Sequence, residues 1–283
     1  MRSFLIRIGP AGAFVLAFTL VPLGVLFAYS FGRSTFVSLE FGTTLDNYRA
    51  AFESDLYPEL IFRSVWIGLA AGLLSVGLAY PFAYAITLGP LRRRGDLFLF
   101  IALVSLFSAY IVRVYAWRTL LGRSGAINSG LEALGITDRP LEFLLYNRFA
   151  VVLTLVNVLV PLAVLPLYSS LASVDRNLLE AARNLGASPI RTFWKVTLPL
   201  SIRGVQSAFA LCFIIAAGDY VTPQLVGGAR AQMLGNTIAS KFGVAFDWPL
   251  GSALAFLLVA AIGLTIVAFV ILCRLLGLRE RPA

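Results

Sequence analysis

The chain contains no histidine and only two cysteines, Cys212 and Cys273, among its 283 residues. Without histidine it lacks the commonest general base and the commonest metal ligand. The cysteines lie far apart in apolar runs and read as small packing residues, so neither a disulfide nor a metal site is expected. Charge is scarce too: Asp, Glu, Lys and Arg make up 13% of the chain, about half the share of a soluble domain. No Gly-rich phosphate loop ending in Gly-Lys-Ser/Thr occurs, so ATP is not bound by that device. The missing histidine and the lack of a carboxylate cluster speak against a membrane enzyme, and no catalytic residue is assigned. Internal repeats, low-complexity segments and flexible linkers are also missing, which leaves a single domain over residues 1–283.

What fills the chain is apolar residues, 59% of it, in runs long enough to cross a bilayer at 1.5 Å rise per residue. The expected fold is all-α, with six transmembrane helices at about residues 9–31, 64–90, 97–120, 149–172, 204–224 and 250–273. Ala28-Tyr29-Ser30 faintly resembles a signal-peptidase site, but the run before it is longer than a signal core and is read as an uncleaved first helix. The stretch LDNYRAAFESDLYPEL reads as a short helix lying at the surface, and Pro81 is expected to bend the second span.

The formal charge of +9 raises the question of nucleic acid, but its distribution answers otherwise. Placing both termini, GPLRRRGD and the segment 175–203 on one side gathers Arg2, Arg7, Arg92 to Arg94, Arg176, Arg183, Arg191, Lys195, Arg203, Arg274, Arg279 and Arg281 there. Only Asp96, Asp175, Glu180 and Glu280 oppose them on that side. Short loops dense in Lys and Arg face the cytoplasm, so the positive-inside bias explains the charge and no nucleic-acid partner is required. A multi-pass protein of the inner membrane with both termini in the cytoplasm is the expected arrangement.

A short, basic, helix-prone island between spans is Glu180 to Pro199, EAARNLGASPIRTFWKVTLP. Asp175 or Asn177 can cap a helix through LLEAARNLGA, Gly186 can close it, and Pro189 can open a second short helix. An exposed helix bearing small residues and one carboxylate is a plausible docking surface, while periodicity alone favours an amphipathic connector lying on the membrane.

The segment resembles the EAA loop of permease subunits of ATP-binding-cassette importers: Glu180, Ala181 and Ala182, then Gly186, then Leu198-Pro199. Six spans with this loop between the fourth and fifth match the type I importer (MetI-like) permease. The resemblance implies that Glu180, Ala181, Ala182, Arg183, Leu185, Gly186, Ala187 and Pro189 couple the chain to a separate ATPase. It further implies a second permease subunit forming a heterodimer, two ATP-binding-cassette ATPase subunits, and a periplasmic substrate-binding protein. No cofactor is expected in this chain, since ATP and Mg would be bound by the ATPase subunits. VRVYAW, GRSGAINSGLEALG, GDYVTPQLVGG and MLGNTI with DWPLGSAL resemble the spermidine/putrescine branch.

Ionisable residues inside spans are site candidates by default, and Arg113 and Asp219 are two of them. Taking straight helices, they lie roughly 24 Å and 22 Å from the inner ends of their spans, hence at similar depth. Either they pair, or Arg113 snorkels, or Asp219 faces the central path and attracts a cationic substrate. In that last case Tyr110, Tyr115, Trp117 and Tyr220 offer ring faces for cation–π contacts. An Asp219 that faces a partner subunit is a further option. Trp248, Tyr48 and Tyr57 read as interface anchors or receptor contacts, and Gly227-Gly228 as a turn at the mouth of the fifth span. Importers of iron(III), opines or aminoalkylphosphonate on the same fold, and an ion-coupled secondary carrier, are the rival readings.

Overall fold

The structure, a computed structural model, describes residues 2–34, 39–40 and 42–277, with side chains from residue 14 onward except at 39–40. The tail residues Arg279, Glu280 and Arg281 counted above lie outside the described residues. Helix α1 (Arg2–Tyr29) leads into a short antiparallel ribbon, β1 (Arg33–Ser34) against β2 (Leu39–Glu40). Helix α2 (Asp46–Glu53) follows, and then α3 (Leu56–Thr87). The surface stretch is therefore split. Its second half is already the first turns of α3, which begins well before residue 64 because Glu59 and Arg63, one turn apart, pair and carry the helix through polar sequence.

Helices α4 (Gly95–Leu106) and α5 (Tyr110–Leu121) replace the single straight span expected over 97–120. The axis turns by 87° between Arg92–Leu106 and Tyr110–Ala133, the latter including α6 (Ala126–Ala133). Neither glycine nor proline marks this break. Ser105 donates its hydroxyl to the Ala102 carbonyl at 2.7 Å, and Ala109 takes an extended conformation that restarts the helix at Tyr110. Helix α7 (Arg148–Ala172) and helix α3 each continue through their internal prolines, Pro161, Pro166 and Pro81.

The stretch between the fourth and fifth spans folds as α8 (Arg176–Asn184), α9 (Pro189–Thr192), a π-turn over Phe193–Thr197 and α10 (Leu198–Leu200). Pro199 cannot donate a backbone hydrogen bond and crowds the preceding turn, and the ladder slips so that the Leu198 N–H reaches the Phe193 carbonyl. At Ser201 the chain bends by 67° into α11 (Ile202–Ala217). Helices α12 (Leu234–Gly243) and α13 (Trp248–Leu275) complete the chain.

Three helices, α3, α7 and α13, are each long and apolar enough to cross a bilayer. The two bent pairs meet the same test jointly, and α1 contributes an apolar stretch from Phe14 to Tyr29. At the centre, α3, α7 and α11 pack on one another around Ile67, Leu155, Leu159, Leu167, Phe209 and Phe213, all fully buried. Lipid is as apolar as these side chains, so close approach of backbones rather than water exclusion holds such helices together. Glycine makes that approach possible. A Cβ at Gly204 on α11 would sit 2.4 Å from Ser170 Cβ and 2.8 Å from the Pro166 carbonyl oxygen of α7.

A contrast follows between Gly204 and Gly77, where an added Cβ meets nothing within 4 Å. Gly204→Ala is expected to destabilise the purified protein by about 1–3 kcal/mol through overpacking. Gly77→Ala should be neutral or mildly stabilising. Unfolding by SDS titration in detergent micelles checks both; equal effects would show that α11 and α7 do not meet at Gly204.

Candidate functional site

Two places in the fold bring the expected residues together. The first is the 175–200 loop. Asp175 accepts a hydrogen bond from the Asn177 N–H at 2.9 Å and so is the cap of α8. At the other end Gly186 stands at φ +80°, a conformation that costs a residue with a Cβ but not glycine. It lets the Ala187 N–H bond to the Ala182 carbonyl and its own N–H to Arg183, the paired bonds of a Schellman closure. Ser188 then caps α9 through the Arg191 N–H, with Pro189 in the first helical position. The result is a capped two-helix hairpin.

The hairpin is fastened to the bundle at several points, and these fasteners are residues that sequence reasoning did not single out. Arg176 donates to the Thr87 carbonyl at the end of α3, at 2.8 Å. Phe193 packs edge-on against Tyr80 and Tyr84, which lie one turn apart on α3. Tyr80 and Ser201 share a buried hydroxyl hydrogen bond of 2.7 Å. The spacing of Tyr80 and Tyr84 was the one available sign, since it sets both rings on one helix face.

On its outer side the hairpin is uncovered. Glu180, Ala181, Arg183, Gly186 and Pro189 are exposed, and Ala182 and Ala187 are half-buried. Leu185 is 89% exposed and Ile190 72%, while Leu179 is buried and anchors the other face. Neither Glu180 nor Arg183 takes part in an ion pair among the described residues. Bulky aliphatic side chains beside an unpaired carboxylate, on a scaffold stiffened by three caps, form a surface suited to a protein partner.

The second place is where α5 begins and α11 ends. Asp219 follows the last turn of α11 and is only 9% exposed. Its carboxylate accepts the Val221 N–H at 3.0 Å and the Thr222 N–H at 3.1 Å, and thereby caps a short helical turn running to Gly227. It also accepts the Tyr110 hydroxyl at 2.6 Å, and the Thr222 hydroxyl in turn donates to Tyr110 at 2.6 Å. The turn is fastened further by Asn236, which donates to the Tyr220 carbonyl at 2.7 Å. Arg63 donates to the carbonyls of Arg230 and Gln232, and Ser64 accepts the Leu234 N–H at 2.8 Å. Thr222, Arg63, Ser64 and Asn236 were not legible as site residues, because single polar residues carry no spacing signal.

Of the options open for Arg113 and Asp219, a direct pair is not what the structure has. Arg113 donates across to the Val158 carbonyl of α7 at 3.5 Å, and its other terminal nitrogen is buried without a hydrogen-bond partner. The rise summed along a straight helix does not set where Arg113 points, because the 87° break before Tyr110 reorients α5. Asp219 is likewise not a bare carboxylate, since donors from Tyr110, Val221 and Thr222 surround it. Tyr115 and Tyr220 are both about half exposed, and Trp117 is half-buried against the core.

The molecule is thus a bundle of bent apolar helices with a clamped, uncovered hairpin at one end. Residues 95–282 match the family described as the binding-protein-dependent transport system inner membrane component. The chain belongs to this family. The permease is 35% identical over 244 residues to the spermidine/putrescine transport system permease protein PotB of Escherichia coli (strain K12), covering 86% of this chain and 87% of that one. Its fold matches the crystal structure of a bacterial ABC transporter involved in the import of the acidic polysaccharide alginate. That match has a TM-score of 0.69 at 18% identity and covers 95% of this chain and 94% of the other. The alginate transporter in complex with its alginate pentasaccharide-bound periplasmic protein matches at a TM-score of 0.68 and 16% identity, over 95% and 93% of the two chains. These likenesses establish the fold of an ABC importer permease.

The cluster at the break predicts a specific pattern of coupling. A double-mutant cycle of Tyr110→Phe with Asp219→Asn, read from SDS-titration unfolding, should give an interaction energy of about 1–3 kcal/mol, as for hydrogen bonds to a charged group. The cycle of Arg113→Gln with Asp219→Asn should give about 0.5 kcal/mol or less. The reverse order would restore the ion pair.

Proposed function

We propose that the chain is one permease subunit of an ATP-driven importer that takes up spermidine, putrescine or a similar small amine. The substrate class rests on the likeness to the spermidine/putrescine permease of Escherichia coli. The observation that carries the mechanism is the capped 175–200 hairpin, uncovered at Leu185 and Ile190 yet clamped to α3 through Arg176, Phe193 and Ser201.

The single domain spans the inner membrane with both termini and the hairpin in the cytoplasm, as the distribution of arginines supports. Glu180, Ala181, Ala182, Arg183, Leu185, Gly186, Ala187 and Pro189 form the contact with an ATPase subunit. Two such subunits bind ATP and Mg and hydrolyse the nucleotide, and this chain holds no cofactor of its own. A second, distinct permease completes the translocation path, and a periplasmic receptor delivers the amine.

A rigid hairpin transmits a push without absorbing it. Closure of the ATPase subunits moves the hairpin, the Phe193–Tyr80 and Tyr80–Ser201 contacts carry that motion to α3 and α11, and the two helices shift as bodies. At the far end of α11 the cluster of Tyr110, Asp219 and Thr222 ties that shift to the broken third span. Within the path Tyr115 and Tyr220 offer ring faces to the amine, with Trp117 and Arg113 nearby in sequence shaping the α5 wall.

Leu185→Asp tests the contact without disturbing the fold, since that side chain is 89% exposed. In proteoliposomes with the cognate subunits, the variant should bind the ATPase roughly tenfold or more weakly, the size expected for a lost anchor residue. Uptake of radiolabelled spermidine should fall with it, while the unfolding midpoint stays unchanged. Normal assembly and uptake by the variant would remove the hairpin from the coupling path; uptake of no amine by the intact complex would remove the substrate class alone.

A further inference from the structure

At the end of the bundle remote from the 175–200 hairpin, a groove of about 780 Å³ opens between the first turns of α3 and α7 and the loop after Gly228. Arg63, Arg148 and Arg230 line it, with Phe143 and Phe149, and no carboxylate does. Arg63 is engaged: it pairs with Glu59 and bonds the carbonyls of Arg230 and Gln232, although its Nε is buried without a partner. Arg148 and Arg230 are exposed and have no ion-pair partner among the described residues. The N-terminus of α7, a helix of 25 residues, adds its positive end to the same place.

The groove is held in shape by its own hydrogen bonds. Asn147 caps α7 by accepting the Ala150 N–H at 2.9 Å, and its amide donates back to the Phe143 carbonyl. Tyr146, in the left-handed region at φ 62°, donates its N–H to the Val226 carbonyl at 2.9 Å and so joins the two walls. Non-glycine residues seldom hold that conformation unless the surroundings impose it.

Depth identifies the kind of anion. From Arg63 to Thr87 helix α3 rises about 36 Å, and from Arg148 to Ala172 helix α7 rises about 36 Å, at 1.5 Å per residue. Thr87 and Ala172 border the charged groups Arg92, Asp96 and Arg176 at the hairpin end. A hydrocarbon core is about 30 Å thick, so both arginines stand in the headgroup layer of the opposite leaflet. Phe143 and Phe149 are exposed beside them, in the manner of aromatic side chains at a membrane interface.

We propose that this groove binds the headgroup of an anionic phospholipid, with Arg148 and Arg230 on the phosphate and Phe143 and Phe149 against the glycerol and upper acyl chain. Guanidinium groups grip phosphate through paired, charge-assisted hydrogen bonds. The two unpaired arginines would repel a cationic cargo, so the groove serves the membrane rather than the path. Its walls lead directly to the turn capped by Asp219, through the Tyr146–Val226 bond, so the lipid steadies the mouth of the broken spans.

Native mass spectrometry of the assembled transporter, released from nanodiscs of palmitoyl-oleoyl phosphatidylglycerol mixed with the corresponding phosphatidylcholine, tests this. The wild type should retain phosphatidylglycerol preferentially. Each basic residue near an anionic surface contributes on the order of a fivefold preference, so R148Q with R230Q should lose roughly 25-fold. R123Q, which exchanges an exposed arginine outside the groove, should keep the wild-type preference. Added inorganic phosphate should leave the lipid in place. Displacement by phosphate would make the groove a free-anion site and overturn the proposal. It is equally overturned if the wild type shows no preference for phosphatidylglycerol, or if R148Q with R230Q lowers only receptor-dependent uptake, which would assign the groove to an acidic segment of the periplasmic protein.

Discussion

A single carboxylate, that of Asp219, gathers three donors from two segments of the chain at the point where two apolar spans stop being straight. In a bilayer no water stands ready to satisfy a freed backbone N–H, so a break in a helix survives only where something inside the protein replaces the lost bonds. Asp219 does this for Val221 and Thr222 and reaches Tyr110 at the start of α5. The three donors also answer the cost of burying the charge, which would be large for a bare carboxylate. Much of the upper part of the molecule is arranged around that solution: Gly235 passes so close to the Asp219 carbonyl that a Cβ would sit 2.8 Å from it, and Asn236 holds Tyr220.

Helix α11 connects this cluster to the 175–200 hairpin. One end of α11 is fastened beside Ser201, where Tyr80 and the hairpin meet, and the other ends just before Asp219. Between them Gly204 presses α11 onto α7, while Gly68 and Gly72 of α3 receive Phe213 and Ala217. Backbones in such close contact slide or tilt as bodies rather than bend, because packed interiors have little free volume to absorb a displacement. The same three helices that form the core are thus the ones able to relate the two ends of the protein.

The local devices of the hairpin were legible in the sequence because each depends on neighbours within a few residues. Asp175 as cap, Gly186 as the left-handed closing residue and Pro189 at the first turn of the next helix all stand where their chemistry places them. The long apolar elements were legible for a similar reason, since helix in a bilayer follows from composition. The split of the surface stretch was less so. Its polar residues looked like one short surface helix until the pairing of Glu59 with Arg63 showed the second half to be part of α3.

What the sequence by itself determined, then, is the class of the fold, the apolar helices and the capped hairpin. What only the tertiary structure decided is where a span breaks and which partner a buried charge takes. The run from Leu97 to Val112 has no glycine, proline or charge, and nothing in it announces the turn after Leu106. That turn is held from outside, by Asp219 and Thr222 more than a hundred residues later, acting on Tyr110. Arg113 and Asp219 looked like natural partners by depth, yet each bonds elsewhere once the break reorients α5. Arg63, Arg148 and Arg230 likewise become one groove only when two helix ends and a loop meet. Contacts within a turn are set by chain geometry, whereas contacts across the bundle depend on packing that no single segment encodes.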